Sequence, residues 1–197
     1  LSQVFLEARQ HAIPFDDTAR FIFFSDCHRG DGSWADEFAR NQEVYTYALE
    51  YYYERGYTYF ELGDGDELFN FRSFTDIRHA HEPIFTLIKR FYLARPTRFH
   101  MLYGNHDLER ADPAIVTKTL GSKVHDRRTG RDVKFLNGIG VQEGLVLKHT
   151  PSGGELFLVH GHQGTLLGER YTWVSEAVLP VVWRPIQRLL NLKTTTP

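Results

Sequence analysis

Cysteine is nearly absent from this sequence. Cys27 stands alone, so no intramolecular disulfide forms and no oxidising compartment is required. A run of about 18 apolar residues is missing as well, so nothing reads as a membrane-spanning helix. The opening residues, LSQVFLEARQ, lack the basic, apolar and small-residue order of a secretory signal, and they carry no initiator Met. The expected compartment is therefore the cytoplasm. An excess of one charge is lacking too. The formal net charge is −2, which gives no global basic field to recruit nucleic acid or anionic lipid, although a local basic patch stays open. Neither an internal repeat nor a low-complexity tract interrupts the chain.

What is present is an ordinary globular composition, 42% hydrophobic and 24% charged over 197 residues, which suits a single domain. A chain this long can bury on the order of 70% of its unfolded surface. The closing residues Lys193 to Pro197 read as a loop rather than a finished domain edge, so the domain is expected to be cut short at one or both ends. Ten histidines are the unusual feature, because imidazole is the commonest metal ligand and titrates nearest neutrality.

Short apolar runs alternate with helical patterns. Arg20 to Ser25 reads as a buried strand that runs into a Gly-rich loop. A helix is expected over Asn41 to Arg55, stopped by Gly56. Tyr57 to Leu62 reads as a second strand. Ile84, Leu87, Ile88 and Phe91 recur at helical spacing behind Pro83, and Thr97 to Tyr103 reads as a third strand. This order predicts an α/β sheet with parallel strands and helical crossovers. Further on, Val133 to Leu136, Ile139 to Lys148 and Glu155 to Val159 read as successive strands, with a turn at Pro151-Ser152-Gly153-Gly154. Leu166 to Leu190 is apolar and broken by Pro180 and Pro185, as in interrupted helices.

The polar clusters follow the strands: Asp26-Cys27-His28, Gly63-Asp64, Gly104-Asn105-His106-Asp107 and His160-Gly161-His162. Open α/β sheets bind ligands at strand carboxyl ends. In an extended segment Asp26 and His28 would point the same way, with Cys27 turned away into packing. A carboxylate with an imidazole suits Mn, Fe or Zn better than an all-oxygen Mg or Ca cage. Asp64 can bridge two ions, while Asn105 and His160 add an amide oxygen and an imidazole. Two such ions, about 3.5–4 Å apart, would clamp a phosphate and lower the pKa of a water held between them. His106 is placed to protonate the leaving oxygen, and Asp107 to hold the His106 tautomer. Any one of these clusters could be turn chemistry. Four of them, each closing an apolar strand, are hard to obtain that way.

Taken in order, these motifs resemble those of the calcineurin-like metallophosphoesterase superfamily, from about Phe21 to Gly164. The resemblance implies a four-layer α-β-β-α sandwich. It also implies that Asp26, His28 and Asp64 hold one ion and that Asp64, Asn105 and His160 hold the other. It implies a phosphomonoester, phosphodiester or pyrophosphate substrate. The family's closing Gly-His-x-His does not follow His162. Either His160-Gly161-His162 is that pair, with His149 or His125 as the earlier ligand, or His160 is the single-histidine motif and the last strand with its pair lies beyond Pro197. The second reading is preferred. A non-catalytic interaction module on the same fold is the alternative function.

Other residues have open readings. Arg29 either binds substrate phosphate or is a plain exposed arginine. His162 is a candidate substrate contact. Glu67 is either a partner of a ligand or part of a solvated helix start. His79, His81 and His100 read as surface or core, and Tyr51-Tyr52-Tyr53 reads as packing rather than nucleic-acid stacking. Residues 165–192 are expected to cover the sheet. They resemble the capping region of UDP-2,3-diacylglucosamine hydrolase-like members, which would allow a lipid-linked nucleotide sugar as substrate. The basic residues Arg184, Arg188 and Lys193 leave membrane-surface contact open.

Overall fold

A computed structural model describes residues 1–71, 73–94, 96–126 and 130–162. Helix α1 (Ser2–Gln10) and strand β1 (Ile13–Phe15) precede the first expected strand, β2 (Phe21–Phe24). Then come α2 (Gln42–Glu54), β3 (Thr58–Leu62), α3 (Phe74–Ala80), α4 (Glu82–Leu93) and β4 (Phe99–Leu102). After these lie α5 (Pro113–Thr119), the hairpin β5 (Lys123–Asp126) and β6 (Arg131–Lys134), and β7 (Val141–Gln142), β8 (Gly144–His149) and β9 (Glu155–Val159). Gly56 stops α2 at a φ of 77°, where a side chain would be strained.

Strands β2, β3, β4 and β7 form one sheet, all parallel and in that order. The second sheet has the order β1-β8-β9, with β1 parallel and β9 antiparallel to β8. The alternation along β3 shows how the layers arise. Tyr59 packs in the cluster that holds Leu49 of α2 and Ile84, Ile88 and Phe91 of α4. Phe60 points the other way and packs with Leu102, Leu145, Leu147 and Leu158 between the two sheets. Helix α1 lies against β8. A Cβ on Gly144 would come within 2.8 Å of the Val4 side chain, so a larger residue there would push the helix or its side chains aside. The resulting order, helices, sheet, sheet, helix, is the expected four-layer α-β-β-α sandwich. Helix α4 uses the anticipated stripe, with Ile84, Leu87, Ile88 and Phe91 all buried.

Ile139 to Lys148 is not one strand. It divides at Glu143: β7 pairs with β4 in the first sheet, and β8 moves to the second. Val141 packs on the helix-side core, whereas Leu145 and Leu147 fill the space between the sheets. The expected strand at Val133 to Leu136 is instead the second arm of the β5–β6 hairpin, outside both sheets. The covering segment expected at residues 165–192 lies outside the described residues.

Candidate metal centre

Parallel pairing brings the ends of β2, β3 and β4 to one edge of the sheet. Past those ends the loops stay paired. The N–H of Asp26 donates to the Gly63 carbonyl at 3.2 Å, that of His28 to Asp64 at 2.9 Å, and that of Arg29 to Gly65 at 3.1 Å. Asp26, His28 and Asp64 all have left-handed backbones, with φ of 54°, 49° and 52°. The convergence of Asp26 and His28 therefore does not come from extended geometry, as the sequence suggested. It comes from two left-handed residues, a conformation that costs about 1 kcal/mol or more each and that clusters at functional sites. Cys27 faces away as expected, with its sulfur 3.5 Å from the Tyr45 hydroxyl. Burial pushes the Cys27 thiol up to about 11.

Asp64 is the centre of the arrangement. Its Oδ2 lies 3.8 Å from His28 Nε2 and 3.2 Å from His160 Nε2. His160 Nε2 is also 3.2 Å from Asn105 Oδ1, and His28 Nε2 is 4.0 Å from Asp26 Oδ1. Two donor groups result, each with its ligand atoms within 4.8 Å of one another: His28, Asp64 and His106, and Asp26, Asp64 and His160. Asp64 is common to both. Glycine makes this approach possible, because a Cβ on Gly104 would sit 2.1 Å from Asp64 Oδ1.

The tautomers are fixed from behind. His160 Nδ1 lies 3.0 Å from the Leu62 carbonyl, which can only accept, so Nδ1 carries a proton. Glu67 Oε2 lies 2.9 Å from His28 Nδ1 and 2.8 Å from His106 Nδ1, so one carboxylate oxygen fixes both rings. In the neutral tautomers the Nε2 lone pairs of His28 and His160 then face the acceptor oxygens of Asp64 and Asn105. Acceptors so close together call for a cation or an extra proton between them. These residues therefore fit a pair of divalent ions.

Electrostatics records the attraction between these rings and carboxylates, which favours a proton or a cation between them. Burial works to raise Asp64, but the His160 bond and the His106 backbone N–H outweigh it and hold its carboxyl below the usual range. Burial opposes ionisation of Glu67 too, yet bonds from His106 and His28 hold it at about 2. His106 and His160 are raised: burial works against the charged ring in both, and Glu67 and Asp64 respectively prevail.

Two expected roles are corrected. Arg29 cannot reach a substrate, because it is fully buried. Its guanidinium pairs with Glu61 at 2.9 and 2.8 Å and with Asp66 at 2.6 Å. Asp107 does not hold the His106 ring, a task that falls to Glu67. Asp107 Oδ1 accepts the N–H of Gly104 at 2.6 Å and that of Asp64 at 3.3 Å, while Oδ2 accepts from Arg110 at 2.9 Å. One signal for the buried arginine was available. Glu61 interrupts an apolar parallel strand, and a charge there needs a buried partner of opposite sign. His162 is half-buried, its ring 5.6 Å from that of His160, and it joins neither donor group. His81 is a core residue between Asp36 and Gln42, and His100 stacks on Phe60.

Comparison with known families agrees with the motifs. The model of the calcineurin-like phosphoesterases matches residues 19–192, and the chain belongs to that family. No curated protein and no solved structure matches the chain. The family generally uses two divalent metals and has hydrolases as well as inactive members.

Proposed function

We propose that this protein hydrolyses a phosphomonoester, phosphodiester or pyrophosphate bond with two divalent transition ions, manganese first among them and iron or zinc as alternatives. The carrying observation is the convergence of His28 and His160 on Asp64, with Asp26 beside His28, Asn105 beside His160, and the imidazole Nε2 atoms turned inward. Bound ions would polarise the phosphoryl oxygens and lower the pKa of a water nucleophile. Asp26, His28 and Asp64 would hold one ion, and Asp64, Asn105 and His160 the other. The residues of the chain supply the remainder. As water attacks phosphorus, the bond to the leaving oxygen breaks, and that oxygen needs a proton. His106 is the donor, oriented through Nδ1 by Glu67. His162, next to His160, is kept as a substrate contact.

No described helix is long and apolar enough to cross a membrane. We place the protein in the cytoplasm, on the composition argument alone. Nucleotides and lipid-linked nucleotide sugars are both candidate substrates. The test is a screen of the Mn-loaded chain against nucleotides, cyclic nucleotides, a nucleotide–sugar lipid and a chromogenic diester. Turnover of one class that is abolished in His160→Ala supports the proposal. Two-ion binding without turnover of any class would favour the non-catalytic module.

A further inference from the structure

Behind the ligands lies a cluster of five charged residues, Arg29, Glu61, Asp66, Asp107 and Arg110, none of them more than 2% exposed. Asp66 is its hub. Its Oδ1 accepts from Arg29 Nε at 2.6 Å, and its Oδ2 accepts from Arg110 Nη2. Each arginine leads to a different ligand-bearing loop. Arg29 directly follows His28, and its backbone pairs with Gly65 and Glu67. Arg110 holds Asp107, which in turn accepts the N–H groups of Gly104 and Asp64 on either side of the site. The guanidinium groups pack on aromatic rings from the helix layer, Arg29 over Phe85 at 5.1 Å and Arg110 over Phe74 at 5.5 Å. The cluster is thus wedged between the sheet edge and α3 and α4. A Cβ on Gly65 would lie 2.1 Å from Glu61 Oε1, so the loop closes directly onto the Arg29–Glu61 pair.

We propose that Asp66 is a positioning residue for the metal centre, a single buried carboxylate that sets the spacing between the Asp26–His28 loop and the Asn105–His106 loop through its two arginines. The inference rests on the two-ion reading above. Asp66 touches neither ligand nor substrate. It acts because both loops end on it, and because two of the ligands it steadies have left-handed backbones that need support from outside. Asp66→Asn keeps the shape, but it has only one acceptor oxygen for two guanidinium groups.

The test uses the full chain and Mn(II), with affinity measured by titration calorimetry and inter-ion spacing by the exchange-coupled EPR spectrum. Leu87→Ala, at a buried apolar position of α4 that is not a member of the charged cluster, serves as a control for general destabilisation. The wild type must first bind two coupled ions; if it does not, the two-ion reading fails, and the inference with it. Given that, Asp66→Asn is expected to lose about 10–100-fold in Mn(II) affinity and to change the coupled spectrum. Leu87→Ala is expected to keep both. Wild-type affinity and an unchanged spectrum in Asp66→Asn would overturn the proposal, as would equal changes in Leu87→Ala. Should Asp66→Asn not fold, Arg110→Lys carries the same expectation, because an ammonium cannot span Asp66 and Asp107 as the guanidinium does.

Discussion

The Nδ1 atom of His106 lies 2.8 Å from Oε2 of Glu67. The same oxygen takes His28 Nδ1 at 2.9 Å, and Glu67 Oε1 accepts the N–H of Asn70 at 3.0 Å. One buried side chain therefore orients both an expected ligand and the expected proton donor. A glutamine side chain in its place would put an N–H₂ group where an acceptor is needed, or else leave the Asn70 N–H unpaired. Glu67→Gln is expected to weaken Mn(II) binding about 10–100-fold and to lower kcat/KM by a similar factor. Metal titration and steady-state kinetics check this. Unchanged metal affinity would remove Glu67 from the support of His28.

Loss of His106 separates proton donation from metal binding. If the ring protonates the leaving oxygen, its removal costs about 10²–10⁴-fold in rate on alkyl esters. Nitrophenolate leaves without a proton near neutral pH, so the cost there shrinks. His106→Ala is expected to retain two ions, lose most activity on alkyl phosphate esters and lose much less on nitrophenyl esters. Equal losses on both would make His106 a positioning residue. Loss of an ion would make it a ligand, consistent with its place beside His28 and Asp64.

Arg29 has a structural role that phosphate binding would not produce. Arg29→Leu leaves Glu61 buried without its guanidinium and Asp66 with that of Arg110 alone, and breaking a buried pair in this way costs about 3–5 kcal/mol. Urea denaturation of the metal-free protein is expected to show that loss. A small stability change with a raised KM would restore the substrate-binding role.

Asp36 ties the loop after the metal ligands to the helices. Its carboxylate accepts the N–H of Gly32 at 2.9 Å and that of Ala39 at 3.1 Å, and it pairs with His81 Nε2 at 2.8 Å. Burial works to raise Asp36, and the bonds from His81 and the backbone hold it below the usual carboxylate value. With the folded value depressed, its contribution is complete above the unfolded value of about 3.9 and is lost as pH falls below it. Asp36→Asn is expected to cost about 2–3 kcal/mol at pH 6. The difference from wild type should shrink below about pH 4. Melting curves from pH 6 to pH 3 measure it, and a gap that does not change with pH would show that the charge on Asp36 does not matter.

The strand ends and their polar clusters were legible because apolar runs stop sharply at Phe24, Leu62 and Leu102, with ligand-type residues directly behind. What the chain did not reveal was pairing across distance. Glu67 and His106 stand 39 positions apart, and only the paired loops after β2 and β3 bring Glu67 beneath both rings. Arg29 looked like a loop arginine because its buried partners, Glu61 and Asp66, lie more than 30 positions away. The change of sheet at Glu143 was hidden for a related reason. Residues 139 to 148 are apolar on both sides of it, and only the two separate cores distinguish them.

Central to all of this is Asp64 as a carboxylate shared by two ions. Mn(II) titration of the full chain, with the bound metal counted after dialysis, tests it most directly when wild type and Asp64→Ala are compared. Two ions per chain in the wild type, with both sites severely weakened in the variant, are the predicted result. A variant that keeps one site at wild-type affinity, or that binds as the wild type does, would contradict the shared position of Asp64.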